Sequence, residues 1–120
     1  MRRRQTYWEY LAFARRASAL RADIGLRARI RERDGSNCRY CADSVEWYGG
    51  DDMNFLRNRK MAVYEHIDPH GPNSEVNVVI ACKSCNSRKG SRTPEQAGMV
   101  LVPVGFQVPP ECYGEGPDDE

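Results

Sequence analysis

A small α+β domain is predicted by three features of this sequence. The first third of the chain carries helical periodicity, two short β-branched runs flank a loop containing Pro and Gly, and two C-x-x-C pairs stand forty residues apart. At 120 residues the chain has the length of one domain. A chain of that size buries roughly two-thirds of its unfolded surface, so its core is modest and cross-linking matters.

Thr6 followed by Glu9 makes a capping box, and Tyr7, Tyr10, Leu11, Ala14 and Ala17 recur at helical spacing, which predicts a helix over about residues 7 to 21. Asp23 caps a second helix, with Leu26 and Ile30 on one face, Arg27, Arg29, Arg31 and Arg33 around the others, and Asp34-Gly35 at its end. "NCRYC" is too short for a regular element and reads as a tight knuckle. Between residues 42 and 60, "EWY" can begin a strand and "GGDD" makes a turn, while "FLRNRK" fits no single element. "MAVYEH" has strand composition and is stopped by Asp68-Pro69; "VNVVIA", beyond the loop, reads as a buried strand. "KSCNSRKG" is a helix closed by Gly90. Thr93 caps a last helix, with Pro94 in its first position and Gln96 completing a second capping box.

The formal net charge of +1 hides a segregation along the chain. Residues 1–33 hold ten arginines against Glu9, Asp23 and Glu32, and Lys83 to Arg92 adds four cations and no acid. The last ten residues reverse this with Glu111, Glu115, Asp118, Asp119 and Glu120. Residues 1–23 thus read as a basic helical extension and 103–120 as an acidic, Pro/Gly-rich tail that is extended or disordered. Basic blocks suit a polyanion, and the tail could shield them; a plainly solvated face is the simpler meaning of any one block. No run is apolar for long enough to span a bilayer, and arginines interrupt the N-terminal apolar pattern, so neither export nor insertion is expected.

Without an export signal, two short cysteine pairs favour metal over disulfides. Thiolates are soft ligands, and four of them surround zinc tetrahedrally when two knuckles meet. Cys38 and Cys41 follow a helix, whereas Cys82 and Cys85 follow a strand and open a helix. A structural Zn2+ on these four would tie together segments that local packing leaves apart. The opposing interpretation, ordinary buried or redox-active thiols, requires both pairs to share this spacing by accident.

Hydrolysing a phosphodiester needs a base for water, positive charge on the phosphate and stabilisation of the leaving oxygen. Glu65, His66 and Asn86 can supply that set: an imidazole poised to take a proton near neutral pH, and two oxygen donors for a divalent cation. Cys82, Cys85, Asn86 and Lys89 fall at helical spacing along one side, so zinc would anchor the helix that presents Asn86, with Lys89 and Arg88 within reach of phosphates. Glu65 and His66 are neighbours on a strand and point to opposite faces, so the strand is expected to end or bend there. Taken alone, His66 before Ile67-Asp68-Pro69 would be a satisfied turn histidine. His70 reads as a loop histidine, Tyr40, Trp47, Tyr48 and Tyr64 as packing residues, and Cys112 as a free thiol.

Together "IRERDGSNCRYC", "EHIDP" and "NVVIACKSCNSRKGSRTPEQA", across residues 30 to 97, resemble the zinc-containing HNH endonuclease family of bacteria and phages. The resemblance implies a ββα-metal core, here residues 24–102, flanked by N-terminal helices and a C-terminal helix, with a catalytic Mg2+- or Mn2+-like ion. It makes His66 the general base, Asn77 the residue that holds the loop and orients the histidine, Glu65 and Asn86 the ligands of the ion, and the four paired cysteines the structural zinc site. Asn86 stands where the family's last His is found, Glu65 where Asp or His is usual, and the loop has Gly71 without a double glycine.

The resemblance and the charge pattern together imply a DNA endonuclease or nicking enzyme of the bacterial or phage-infected cytoplasm, acting on duplex DNA. Arg27, Arg29, Arg31, Arg88 and Lys89 are expected on the phosphate backbone, with room for a phage or host protein partner. A non-catalytic zinc module that binds nucleic acid through a degenerate site is the alternative. A zinc-stabilised domain for a protein partner is the third, and it gives the basic segments no task.

Overall fold

The computed structural model describes residues 6–47 and 58–104. The N-terminal arginines, the "GGDD" turn, Tyr48, the tail from 105 onward and Cys112 lie outside the described residues.

Helix α1 spans Tyr7–Ala22 and begins with the expected reciprocal cap: Thr6 Oγ1 accepts from Glu9 N at 3.1 Å, and Glu9 Oε1 accepts from Thr6 N at 2.9 Å. Asp23 ends α1 and starts α2 (Ile24–Asp34), its side chain accepting from Leu26 N at 3.0 Å. One residue therefore makes the whole corner between the helices. Along α2 the buried residues are Leu26, Ile30 and Asp34, four apart on a single stripe.

Strands β1 (Ala62–His66) and β2 (Val78–Cys82) pair antiparallel, with Ala62 opposite Cys82 and His66 opposite Val78. A two-stranded sheet is marginal by itself. This one is covered: β2 contacts α2 and α3 (Lys83–Lys89), and every residue of β2 is buried. The core collects Leu20, Leu26, Ile30, Val45, Ile80 and Met99 around it.

Three boundaries differ from the sequence expectation, each for a local reason. Strand β2 starts at Val78 and not Val76, because the Asn77 side chain is bonded into the preceding loop and Val76 stands 86% exposed. Among the described residues, "EWY" contributes one isolated bridge, Glu46 to Met61, and no strand. The last helix, α4, is only Pro94–Ala97, since Gly98 takes a left-handed φ of +69° and turns Met99 into the core.

Asp34 carries a role that the sequence did not announce. Its fully buried carboxylate accepts from Arg33 Nε (2.7 Å) and Nη2 (2.8 Å), Arg39 Nη1 (2.8 Å) and Ile80 N (3.0 Å). Arg33 and Arg39 continue outward to the carbonyls of Val78 and Val102. The end of α2, the cysteine knuckle, β2 and the C-terminal segment thus meet on one side chain. Burial works to raise the Asp34 pKa, but the bonds from Arg33, Ile80 and Arg39 outweigh it and hold the carboxyl below the ordinary value.

Removing one partner of such a buried charged network costs about 3–5 kcal/mol. Asp34→Ala should lower the unfolding free energy by that order in urea titrations at neutral pH. Because the folded pKa is depressed, this stabilisation is complete above the ordinary aspartate value of about 3.9 and is lost as pH falls through the lower folded value. The gap between wild type and variant should accordingly narrow below about pH 4.

Candidate functional site: a four-thiol cluster beside a ββα cleft

The knuckle after α2 brings Cys38 and Cys41 to the junction of β2 and α3. The Sγ atoms of Cys38, Cys41, Cys82 and Cys85 all lie within 4.8 Å of one another, and Cys41 and Cys82 are 3.9 Å apart. Sulfurs at about 2.3 Å from a tetrahedral zinc stand roughly 3.8 Å from each other, so the spacing fits. Backbone N–H groups point at the sulfurs as they would at thiolates: Tyr40 N to Cys38 Sγ and Cys85 N to Cys82 Sγ, each at 3.4 Å. Ala42, at φ +69°, lets the knuckle turn back. Burial and then the Cys38 charge push the Cys41 thiol up to about 12, and the same two causes raise Cys85. Two of the four thiols thus resist ionising unaided; a divalent cation with an affinity for sulfur is what this donor set suits.

The cleft opens on the other side of the same unit. It measures about 430 Å³, and its walls include Tyr10, Phe13, Glu65, His66, Asn86 and Ser87. Strand β1 pairs regularly through Glu65 and His66 and ends at His66, so the expected end is met without a bend, and the two side chains take different supports.

Glu65 is buried. Its Oε1 accepts from Tyr40 Oη at 2.6 Å and its Oε2 from Lys89 Nζ at 2.6 Å. Burial, then the bond to Glu65, raises the Tyr40 pKa and keeps that hydroxyl a donor. Lys89 Nζ also donates to the His66 carbonyl at 2.9 Å and has no exposed surface. The sequence expectation that Lys89 meets phosphate is corrected here: the helix turns it inward, where Glu65 needs a counter-ion.

His66 is 4% exposed, with the Phe13 ring edge-on at 5.8 Å and its Nε2 2.6 Å from Asn73 Oδ1. Among the described residues, Asn77 makes no hydrogen bond to the imidazole. Its Oδ1 accepts from Asp68 N at 2.9 Å, and its Nδ2 donates to the carbonyls of Asp68 (3.1 Å) and Pro72 (3.0 Å), which cross-ties the loop. A Cβ at Gly71 would stand 2.6 Å from that Nδ2, so only glycine leaves room for the tie. His70 is an exposed loop residue whose N–H donates to Asp68 Oδ1 at 2.9 Å. Asn86 is half-buried on α3, and its side-chain amide has no hydrogen-bond partner among the described residues.

As hard donors that line one cleft, Glu65 and Asn86 fit a divalent ion. The carboxylate has about four lone-pair positions, and Tyr40 and Lys89 use two of them. Of the α2 arginines, Arg27 lies 5.9 Å from the Tyr64 ring centre, Arg31 3.9 Å from that of Trp47, and Arg29 pairs with Glu75 at 2.7 Å. Trp47 and Tyr64 also pack on each other, as expected of core-side aromatics. Arg88 is exposed on α3.

Structural zinc contributes on the order of 10 kcal/mol to small domains, so Cys85→Ser or strong chelation should abolish the folded circular-dichroism signal together with bound zinc. Glu65→Gln alone leaves the Lys89 ammonium buried and unpaired, which should cost about 3–5 kcal/mol in denaturant titrations, whereas Glu65→Gln with Lys89→Met should recover much of that loss.

The HNH endonuclease family model matches residues 38–92. Comparison with curated proteins and with solved structures gave no match. The matched segment runs from the first cysteine of the cluster through the hairpin and α3. The chain therefore carries an HNH endonuclease domain, built on a four-cysteine cluster that suits zinc.

Proposed function

We propose that the protein is a metal-dependent DNA endonuclease or nicking enzyme in which His66 takes the proton from the attacking water. The observation that carries this reading is the convergence of His66, Glu65 and Asn86 on one cleft within the HNH domain. Asn77 keeps the loop closed behind the histidine, and the buried position of His66 keeps bulk water from competing for its lone pair. Glu65 and Asn86 would hold the Mg2+ or Mn2+, whose chemistry is to offset charge on the phosphate and the departing oxygen. Arg88, with Arg27, Arg29 and Arg31 on α2, is assigned to the phosphate backbone; the Arg29–Glu75 pair is exposed and costs little to break.

One observation favours the second reading, a zinc-stabilised module that binds nucleic acid without cutting. Lys89 already neutralises Glu65, so a dication gains little from that carboxylate unless the ammonium moves aside.

Zinc-loaded protein incubated with supercoiled plasmid decides between them. Relaxation or linearisation with Mg2+ or Mn2+, absent with EDTA and lost in a folded His66→Ala variant, is the expected result. Salt-sensitive DNA binding by both proteins with no cleavage under any ion would establish the non-catalytic module instead.

A further inference from the structure

Helix α1 lies outside the segment that matches the HNH family, yet it meets the imidazole through Phe13 and, by hydrogen bonds, through Asn73. Asn73 Nδ2 donates to the Arg16 carbonyl on α1 at 2.7 Å, and Asn73 Oδ1 sits 2.6 Å from His66 Nε2. The Arg16 guanidinium returns the contact by donating to the Pro69 carbonyl of the same loop. We propose that Asn73, anchored on α1, is a positioning residue that fixes both the orientation and the tautomer of His66.

Donor and acceptor chemistry decides which way the amide faces. A backbone carbonyl can only accept, so the amide face turned to Arg16 must be the NH2; the reverse orientation would set two oxygens against each other at 2.7 Å. The oxygen then faces the ring. An amide oxygen also can only accept, so Nε2 must carry the hydrogen, and in neutral imidazole the lone pair is left on Nδ1. Phe13, itself on α1, packs against the ring at an interplanar angle of 69°. The base is thereby specified by a helix that the family match does not include. The catalytic meaning of this arrangement rests on the proposed role of His66, and its structural meaning on the two bonds of Asn73.

The test has two readouts on zinc-loaded protein. Nitrogen-15 NMR, at a pH high enough that the ring signals no longer move, reports which ring nitrogen bears the hydrogen. Plasmid cleavage reports turnover and KM. Wild type should show a single Nε2–H tautomer and Asn73→Leu a mixture. Turnover should fall roughly 10- to 100-fold in Asn73→Leu with KM nearly unchanged. A wild-type His66 bearing hydrogen on Nδ1, or a tautomer that Asn73→Leu leaves intact, would overturn the proposal. Should the wild type show the expected tautomer and its loss in Asn73→Leu, but never cut DNA, the positioning role stands and the endonuclease reading fails. If Asn73→Leu does not fold, the wild-type spectrum still decides, because a hydrogen on Nδ1 there contradicts the role of the Asn73 oxygen as acceptor.

Discussion

Four sulfur atoms drawn within 4.8 Å of one another are the constraint on which the rest of this structure depends. A hairpin of five residue pairs and a seven-residue helix are each too short to persist in water. Cys82 resolves this by holding three positions at once: it is the last residue of β2, the cap of α3 through its bond from Cys85 N, and a member of the cluster. Asn86 follows Cys85 directly, so its distance from the strands is set by the sulfurs and not by the helix's own stability.

Two buried carboxylates divide the remaining polar work, and their hydrogen bonds tell them apart. Asp34 receives four donors and has no capacity left, which makes it a structural joint between α2, the knuckle and β2. Glu65 receives two and faces a cleft. A carboxylate supported but unsaturated can still accept a ligand; a saturated one cannot. The support is not free of consequence, because the ammonium that steadies Glu65 also answers its charge. Whatever dication affinity the cleft has is set by the balance between those two effects, and Lys89 is the residue through which it is tuned.

Much of the fold was legible in the sequence, where local chemistry dictates the outcome. Thr6 with Glu9, Thr93 with Gln96, and Asp23 before a periodic stretch announce helix starts because capping is settled within four residues. The four cysteines announce themselves by spacing. The fate of Lys89 was harder to see. Helical periodicity places it on the same side as Asn86, but whether that side faces solvent at its last turn depends on Glu65, twenty-four residues earlier, and on Tyr40 beyond it. Asp34 looked like a helix terminator, which it is; the two arginines and the strand amide that also claim it come from three different segments. Asn73 gave no signal at all, since an asparagine in a Pro- and Gly-containing loop ordinarily satisfies its own backbone.

The strand geometry itself explains why the site needs support from both ends of the chain. Neighbouring residues on a regular strand diverge, and β1 stays regular through Glu65 and His66. The two side chains can border one cleft only if each is held at an angle by something else. For Glu65 that buttress is Tyr40 of the knuckle and Lys89 of α3, both inside the family-matched segment. For His66 it is Asn73 and Phe13, and behind them Arg16, so the second buttress is helix α1. A ββα unit cut free of α1 would keep its cluster and its Glu65, and would lose what turns the histidine. The N-terminal helix is therefore a wall of the cleft and a support of its histidine, which is why the capping of α1 at Thr6 and its corner at Asp23 bear on a side chain some forty to sixty residues further along the chain.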